Sequence, residues 1–200
     1  MPQSKIYATD VSYSALEVAR LNCEHHKVTR QVTLLQGNLL EPVPEPVDLI
    51  VANLPYVRNS ELENLSPEIT RFEPRTAIDG GRNGLKYIRQ LLEQTEEKTS
   101  PRGCLLLEIG QNQEKEVIHL IHSCLSKVSF TFISDLNGIN RVVKISFLRG
   151  GSKLKYPCVI ASEAKQSHLT SPPGLPRHCV PHNDNECSKQ GQVDKKRDLS

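Results

Sequence analysis

The sequence has no tryptophan, one methionine, four phenylalanines and five tyrosines in 200 residues. With so few aromatics, a core must be built from Leu, Ile and Val. No apolar run approaches the roughly 20 residues that cross a bilayer as a helix. No hydrophobic signal core follows Met1-Pro2-Gln3-Ser4-Lys5. The cysteines, Cys23, Cys104, Cys124, Cys158, Cys179 and Cys187, include no Cys-x-x-Cys pair. These absences argue against a helical membrane protein and a secreted disulfide scaffold, and they predict a reduced, cytoplasmic setting. Cys23, Cys104 and Cys124 fall in apolar stretches that read as core. A strong charge of either sign is lacking too. Residues 1–150 hold 17 Lys/Arg against 18 Asp/Glu, a net −1, and residues 151–200 hold 8 against 5, a net +3. The larger part therefore carries no electrostatic footprint for nucleic acid, which favours a small molecule or a protein as partner.

What is present, over residues 1–150, is an alternation of strand-like and helix-like stretches. Lys5 to Asp10 reads as a short strand ending in an acid. A helix follows, with Ser12 or Ser14 as N-cap and Ala15, Leu16, Val18, Ala19 and Cys23 at helical spacing. Gln31 to Gln36 is a second strand. Val47 to Asn53 is a third, and its β-branched run suits a buried parallel strand. Residues 59–82 form a long polar stretch, and loops of that length are usually functional. Leu85 to Glu97 and Glu114 to Leu125 read as helices, with a strand at Gly103 to Ile109 between them. Val128 to Ser134 and Arg141 to Leu148 close the region as two strands. The pattern predicts an α/β fold with a mostly parallel sheet and one antiparallel edge.

Residues 151–200 differ in character. Leu, Ile, Val and Phe number 8 of 50 there, below the roughly 20% under which a segment rarely builds a core. Pro172-Pro173-Gly174-Leu175-Pro176 is a breaker cluster. The composition predicts a disordered tail. Cys158, His168, His178, Cys179, His182 and Cys187 lie in it, but only Cys179-x-x-His182 has a ligand-pair spacing, so no metal site is expected. The run Cys158 to Ser167 resembles the translation of a bacterial dispersed repeat element, which implies a tail foreign to the domain.

Three strand ends carry candidate chemistry. The first is Asn53-Leu54-Pro55-Tyr56, directly after the third strand. Ligands of open α/β sheets bind outside the carboxyl ends of the strands. There the Asn53 side-chain oxygen and the Leu54 carbonyl can accept both N–H groups of an amide or amine, aiming the nitrogen at an electrophile. Pro55 stiffens the turn, and Tyr56 can stack on a planar group. The same residues also make a plain strand-to-loop turn. The second is Asp10, placed to take the two ribose hydroxyls of a nucleotide-like cofactor, or to cap the helix beside Ser12. The third is Gly37-Asn38-Leu39, where a polar and an apolar side chain could meet the edge and face of an adenine, or form a simple turn. Their order and spacing point to one cofactor site more strongly than any one of them does.

These residues resemble those of the HemK-type class I methyltransferases, specifically the release factor glutamine methyltransferases, over roughly residues 5–148. The matching pieces are Tyr7 to Ser12, Ala19 to Asn22, Asp48 to Val57, Arg71 to Ala77, Asp79 to Leu85, Leu106 to Gly110 and Asn140 to Val143. The resemblance implies a Rossmann-like sheet and S-adenosylmethionine as methyl donor. It implies transfer to the side-chain amide nitrogen of a glutamine in a peptide chain release factor. Asp10 would hold the ribose, Asn38 and Leu39 would flank the adenine, and Asn53, Leu54, Pro55 and Tyr56 would hold the glutamine amide. The family usually has Pro where Leu54 stands and an acid where Asn38 stands. The family's first strand, which lies between the Asp10 and Asn53 strands, and the Gly-rich loop after it are missing before Asp10. The expectation is thus a class I methyltransferase sheet lacking its first strand over 1–150, followed by a tail over 151–200. Two other readings remain: an adenine amino-methyltransferase acting on nucleic acid, through the same Asn-x-Pro-Tyr chemistry, and a non-enzymatic remnant.

Overall fold

The computed structural model describes residues 4–67, 69, 73–150 and 158–162. The elements run β1 (Ile6–Asp10), α1 (Tyr13–His25), β2 (Val32–Gln36), β3 (Val47–Asn53), two short 3-10 turns (Asn59–Asn64 and Arg75–Ala77), α2 (Lys86–Lys98), β4 (Thr99–Glu108), α3 (Glu114–Cys124), β5 (Val128–Ser134), β6 (Asn140–Phe147) and β7 (Cys158–Ser162). Ser12 caps α1 as its sequence suggests, its hydroxyl accepting from the Ala15 N–H at 3.2 Å. β4 begins at Thr99, directly at the end of α2, where the sequence suggests Gly103.

All seven strands form one sheet in the order β2-β1-β7-β3-β4-β6-β5. β2, β1, β7, β3 and β4 pair in parallel, and β6 and β5 add the antiparallel edge. One face of the sheet forms the core. Tyr7, Val159, Ile50, Leu105 and Ile145 stand side by side in register across five strands, and all are buried. Ile88, Leu91 and Leu92 of α2 and Val117, Leu120 and Ile121 of α3 complete this cluster. Their i, i+3, i+4 spacing is the apolar stripe of an amphipathic helix, and each fully buried side chain contributes about 1.5–3 kcal/mol.

The strand order corrects two expectations. The position between β1 and β3, expected to be vacant, is filled. Cys158–Ser162 fills it, within the segment whose composition predicts a disordered tail, so the sheet does not end at residue 150. The physical reason is that an average over fifty residues hides a four-residue apolar run, Cys158 to Ala161, with two β-branched members, Val159 and Ile160. The other tail candidates, His168, His178, Cys179, His182 and Cys187, lie outside the described residues.

A third correction concerns α1 and the cysteines. α1 has no buried residue, and Val18 and Leu21 are 46% and 55% exposed. Cys23 and Cys104 are half-buried free thiols outside the core cluster, whereas Cys124, also half-buried, packs against it. The opposite sheet face explains this. Ala8, Leu49, Val51 and Leu106 are only half-buried there, and Ile160 is 43% exposed, so among the described residues α1 meets β1 and β2 without a packed second layer beside it.

Candidate active site

β1 and β3 run in the same direction on either side of β7, so Asp10 and Asn53 end at the same edge of the sheet. Two strand spacings, about 10 Å, separate the two strands. Asp10 is buried, and its Oδ1 accepts from the Ser12 N–H at 2.8 Å. Its backbone carbonyl accepts from the Gly37 N–H at 3.1 Å, which draws the turn after β2 toward the end of β1. The structure thus brings Asp10 and the 37–39 turn together. Within that turn Asn38 is half-buried, its Nδ2 donating to Glu41 Oε1 at 2.9 Å. Leu39 adopts a left-handed φ of 52° and is 2% exposed within the core cluster. Its side chain is committed to packing, which leaves Asn38 as the more accessible of the pair.

The turn after β3 is held from several sides. Leu54 is fully buried and Pro55 is buried, so the backbone leaves the sheet in a fixed direction. The Tyr56 hydroxyl donates to Glu108 Oε1 at 3.1 Å, linking this turn to the end of β4. Gln113, 3% exposed at the start of α3, donates from Nε2 to the Tyr56 carbonyl at 3.0 Å and to the Gly84 carbonyl at 3.5 Å. Its Oε1 accepts from the Gly110 N–H at 2.8 Å. One buried amide therefore joins three loops. Gly84 has a φ of 74°, and a Cβ there would collide with the Tyr56 carbonyl. Only glycine fits that close approach at low cost.

The long polar stretch folds back onto the same turn. Val57 donates to the Ile78 carbonyl at 3.0 Å, and Gly80 donates to the Val57 carbonyl at 2.9 Å. Arg58 Nη2 reaches Glu116 Oε1 at 3.5 Å. Arg71 and Phe72 of the family-like segment lie outside the described residues. Burial, and then the adjacent Glu108 carboxylate, push the Tyr56 phenol up to about 12, against an opposing pull from Arg141. Tyr56 is therefore a neutral hydrogen-bond donor at ordinary pH.

Sequence reasoning missed Glu108 and Gln113 as parts of the site. Glu108 had a signal: it ends a buried strand, as Asn53 and Asp10 do. Gln113 had none, because nothing local distinguishes it from Gln111 in the same polar turn.

Residues 1–71 match the family described as methyltransferase small domain. A methyltransferase from Pyrococcus furiosus shares the fold, with a TM-score of 0.52 at 23% identity over 72% of this chain and 63% of that one. In sequence, the release factor glutamine methyltransferase of Geobacter sulfurreducens is 37% identical over 144 residues, 72% of this chain and 50% of that protein. A ribosomal protein uL3 glutamine methyltransferase of Neisseria meningitidis is 35% identical over 137 residues, 68% of this chain and 43% of that protein. The chain spans about half the length of the curated relatives it matches. Over that half, the chain is similar in sequence to the release factor glutamine methyltransferases.

Proposed function

We propose that this chain carries the methyl-transfer site of a protein-glutamine methyltransferase, with S-adenosylmethionine as donor and a peptide chain release factor as substrate. The setting is the cytoplasm, and the process served is translation termination. The observation that carries the reading is the Asn53–Tyr56 turn, fixed at the carboxyl end of β3 by Gln113 and Glu108. The relatives named for glutamine methylation support it over an adenine-directed activity, as does the near-neutral charge of residues 1–150.

The residues fit the donor in part. Asp10 is a carboxylate at a strand end, the chemistry that binds a ribose diol. The strand in the central position is followed by Glu163-Ala164-Lys165, without the glycines that would let backbone approach the methionine part of the donor. When bound, S-adenosylmethionine supplies an electrophilic methyl group on a sulfonium. The chain's own residues then do the orienting. The Asn53 side-chain oxygen and the Leu54 carbonyl accept the two N–H groups of the glutamine amide, which fixes the nitrogen toward the methyl carbon. Pro55 limits the freedom of the turn, and the Tyr56 ring provides an apolar wall. No nucleophilic side chain is required, since positioning and fixed dipoles lower the barrier.

The experiment is to incubate the full chain with methyl-labelled S-adenosylmethionine and a purified release factor, then locate label by peptide mass spectrometry. Label on a glutamine side chain supports the reading. Label on added RNA or DNA instead would support the adenine-directed activity. Absence of both label and S-adenosylhomocysteine binding would favour the non-enzymatic remnant.

A further inference from the structure

The chain after Tyr56 folds back into a wall beside the candidate site. Val57 donates to the Ile78 carbonyl at 3.0 Å, and the Glu73 N–H donates to the Ile69 carbonyl at 2.9 Å. Between this wall and the Asn53–Tyr56 turn lies a cavity of about 180 Å³, bordered by Leu54, Tyr56, Leu65, Ile69, Ile78 and Glu73. Sites that hold a whole small molecule run to roughly 300–1,000 Å³, so this one suits a single side chain. Glu73 and Ile78 also border a second cavity, of about 230 Å³, beside Glu63 and Arg75.

Glu73 is the one charged residue among the described residues bordering the first cavity. Its Oε2 is buried and has no hydrogen-bond partner. Buried polar atoms are almost always paired, and an unpaired one in a native fold calls for a reason. A carboxylate accepts and does not donate, so the group that fits it is an N–H or O–H donor. The surroundings favour a positive one. Glu63 is a second carboxylate on the same wall, while Arg75 is 77% exposed and turned to Asp79 at 3.8 Å. Methyl transfer itself gives Glu73 no task, since Asn53 and Leu54 orient the amide and Tyr56 is bonded to Glu108.

We propose that Glu73 and this cavity receive a basic side chain of the substrate, one or two residues from the glutamine that is methylated. The aliphatic stem lies against Leu54, Leu65, Ile69 and Ile78, and the cationic end pairs with the Glu73 carboxylate. The inference rests on the glutamine reading above and adds a specificity-determining residue to it. The reach is short, because Leu54 and Tyr56 border the cavity and also belong to the turn that orients the amide. One or two residues of extended chain cover about 3.5–7 Å.

The test measures binding of short labelled peptides to the full chain by fluorescence anisotropy, so it does not depend on methyl transfer. The peptides carry glutamine or alanine at the centre. At one of the two positions on either side they carry lysine or norleucine, which keeps the stem and removes the charge. At one of these positions lysine should bind about tenfold or more tightly than norleucine, and Glu73→Gln should abolish that preference. The melting temperature of Glu73→Gln should stay within about 2 °C of the unmodified chain, since Oε2 has no partner to lose. Absence of a lysine preference at every position, or a preference that survives Glu73→Gln, would overturn the proposal. So would a fall in melting temperature of more than about 5 °C, which would give Glu73 a task in the fold instead. The central residue tests the underlying reading separately. A lysine preference with no loss on changing glutamine to alanine would support the basic-residue pocket and reject the glutamine site.

Discussion

Tyr56 and Glu108 lie 52 positions apart in the sequence and meet through a 3.1 Å hydrogen bond at the carboxyl edge of the sheet. The contact joins the turn after β3 to the end of β4 and orients Tyr56 as a donor, while burial, and then the Glu108 carboxylate, favour its neutral form. Its titration is directly observable. With a folded value of about 12 against an ordinary value of 10, the native state holds the phenol proton where the unfolded chain has lost it. This contribution to stability is complete below pH 10 and is lost as pH rises toward 12. Spectrophotometric titration should show one late tyrosine. Tyr56→Phe should remove that late phase, and Glu108→Gln should bring it to lower pH. A late phase that persists in Tyr56→Phe would reject the assignment.

Gln113 should matter for stability out of proportion to its type. Gln113→Ala leaves the Gly110 N–H and the Tyr56 carbonyl without their side-chain partner in a buried setting. The expected cost is about 1–3 kcal/mol, read by urea denaturation. Gln113→Glu keeps the acceptor for Gly110 but loses the donor to Tyr56, so at neutral pH it should rescue little. A cost below about 0.5 kcal/mol for the alanine variant would mean that the three loops are held by other contacts.

Gly84→Ala tests the close approach of two loops. The substitution combines a positive φ with a collision at the Tyr56 carbonyl. Destabilisation of about 1–3 kcal/mol is expected in thermal melts. Gly138→Ala is the control: its φ is also positive, at 78°, but nothing lies within 4 Å of the added Cβ, so only the backbone part of the cost should appear.

Asn53→Ala separates orientation from cofactor binding. Loss of the amide-accepting oxygen should lower methyl transfer by about 10²-fold or more, while calorimetric binding of S-adenosylhomocysteine changes little. Asp10→Asn should show the reverse emphasis, with binding weakened first. Equal transfer by Asn53→Ala would remove this turn from the reaction.

Burial raises the thiol of Cys158 above its ordinary value. In the native full chain it should alkylate more slowly at pH 8 than the same cysteine in urea, because less of it is thiolate and β7 is held in the sheet. Equal rates in the two conditions would count against the seating of β7.

Much of this arrangement was legible without coordinates. Alternating β-branched runs and apolar stripes mark β1 to β6 and both core helices, because each signal is complete within about ten consecutive residues. The strand-end rule picked out Asp10, Asn38 and the Asn53–Tyr56 turn, since the end of a buried strand is a local feature with a predictable direction. It misjudged Leu39 because a left-handed backbone turns that side chain inward, and the chain between Gly37 and Pro42 carries no sign of the reversal.

The sequence by itself determined the fold class and the order of β1 to β6 with their helices, and it singled out the strand ends that are candidates for a ligand, since these follow from short-range periodicity and turn chemistry. Only the tertiary structure decided that Glu108 and Gln113 close on Tyr56, and that Cys158–Ser162 lies between β1 and β3. Those pairings join residues 52 to more than 150 positions apart. No local preference encodes them. They follow from the joint demand that every buried ladder be paired and every core position filled.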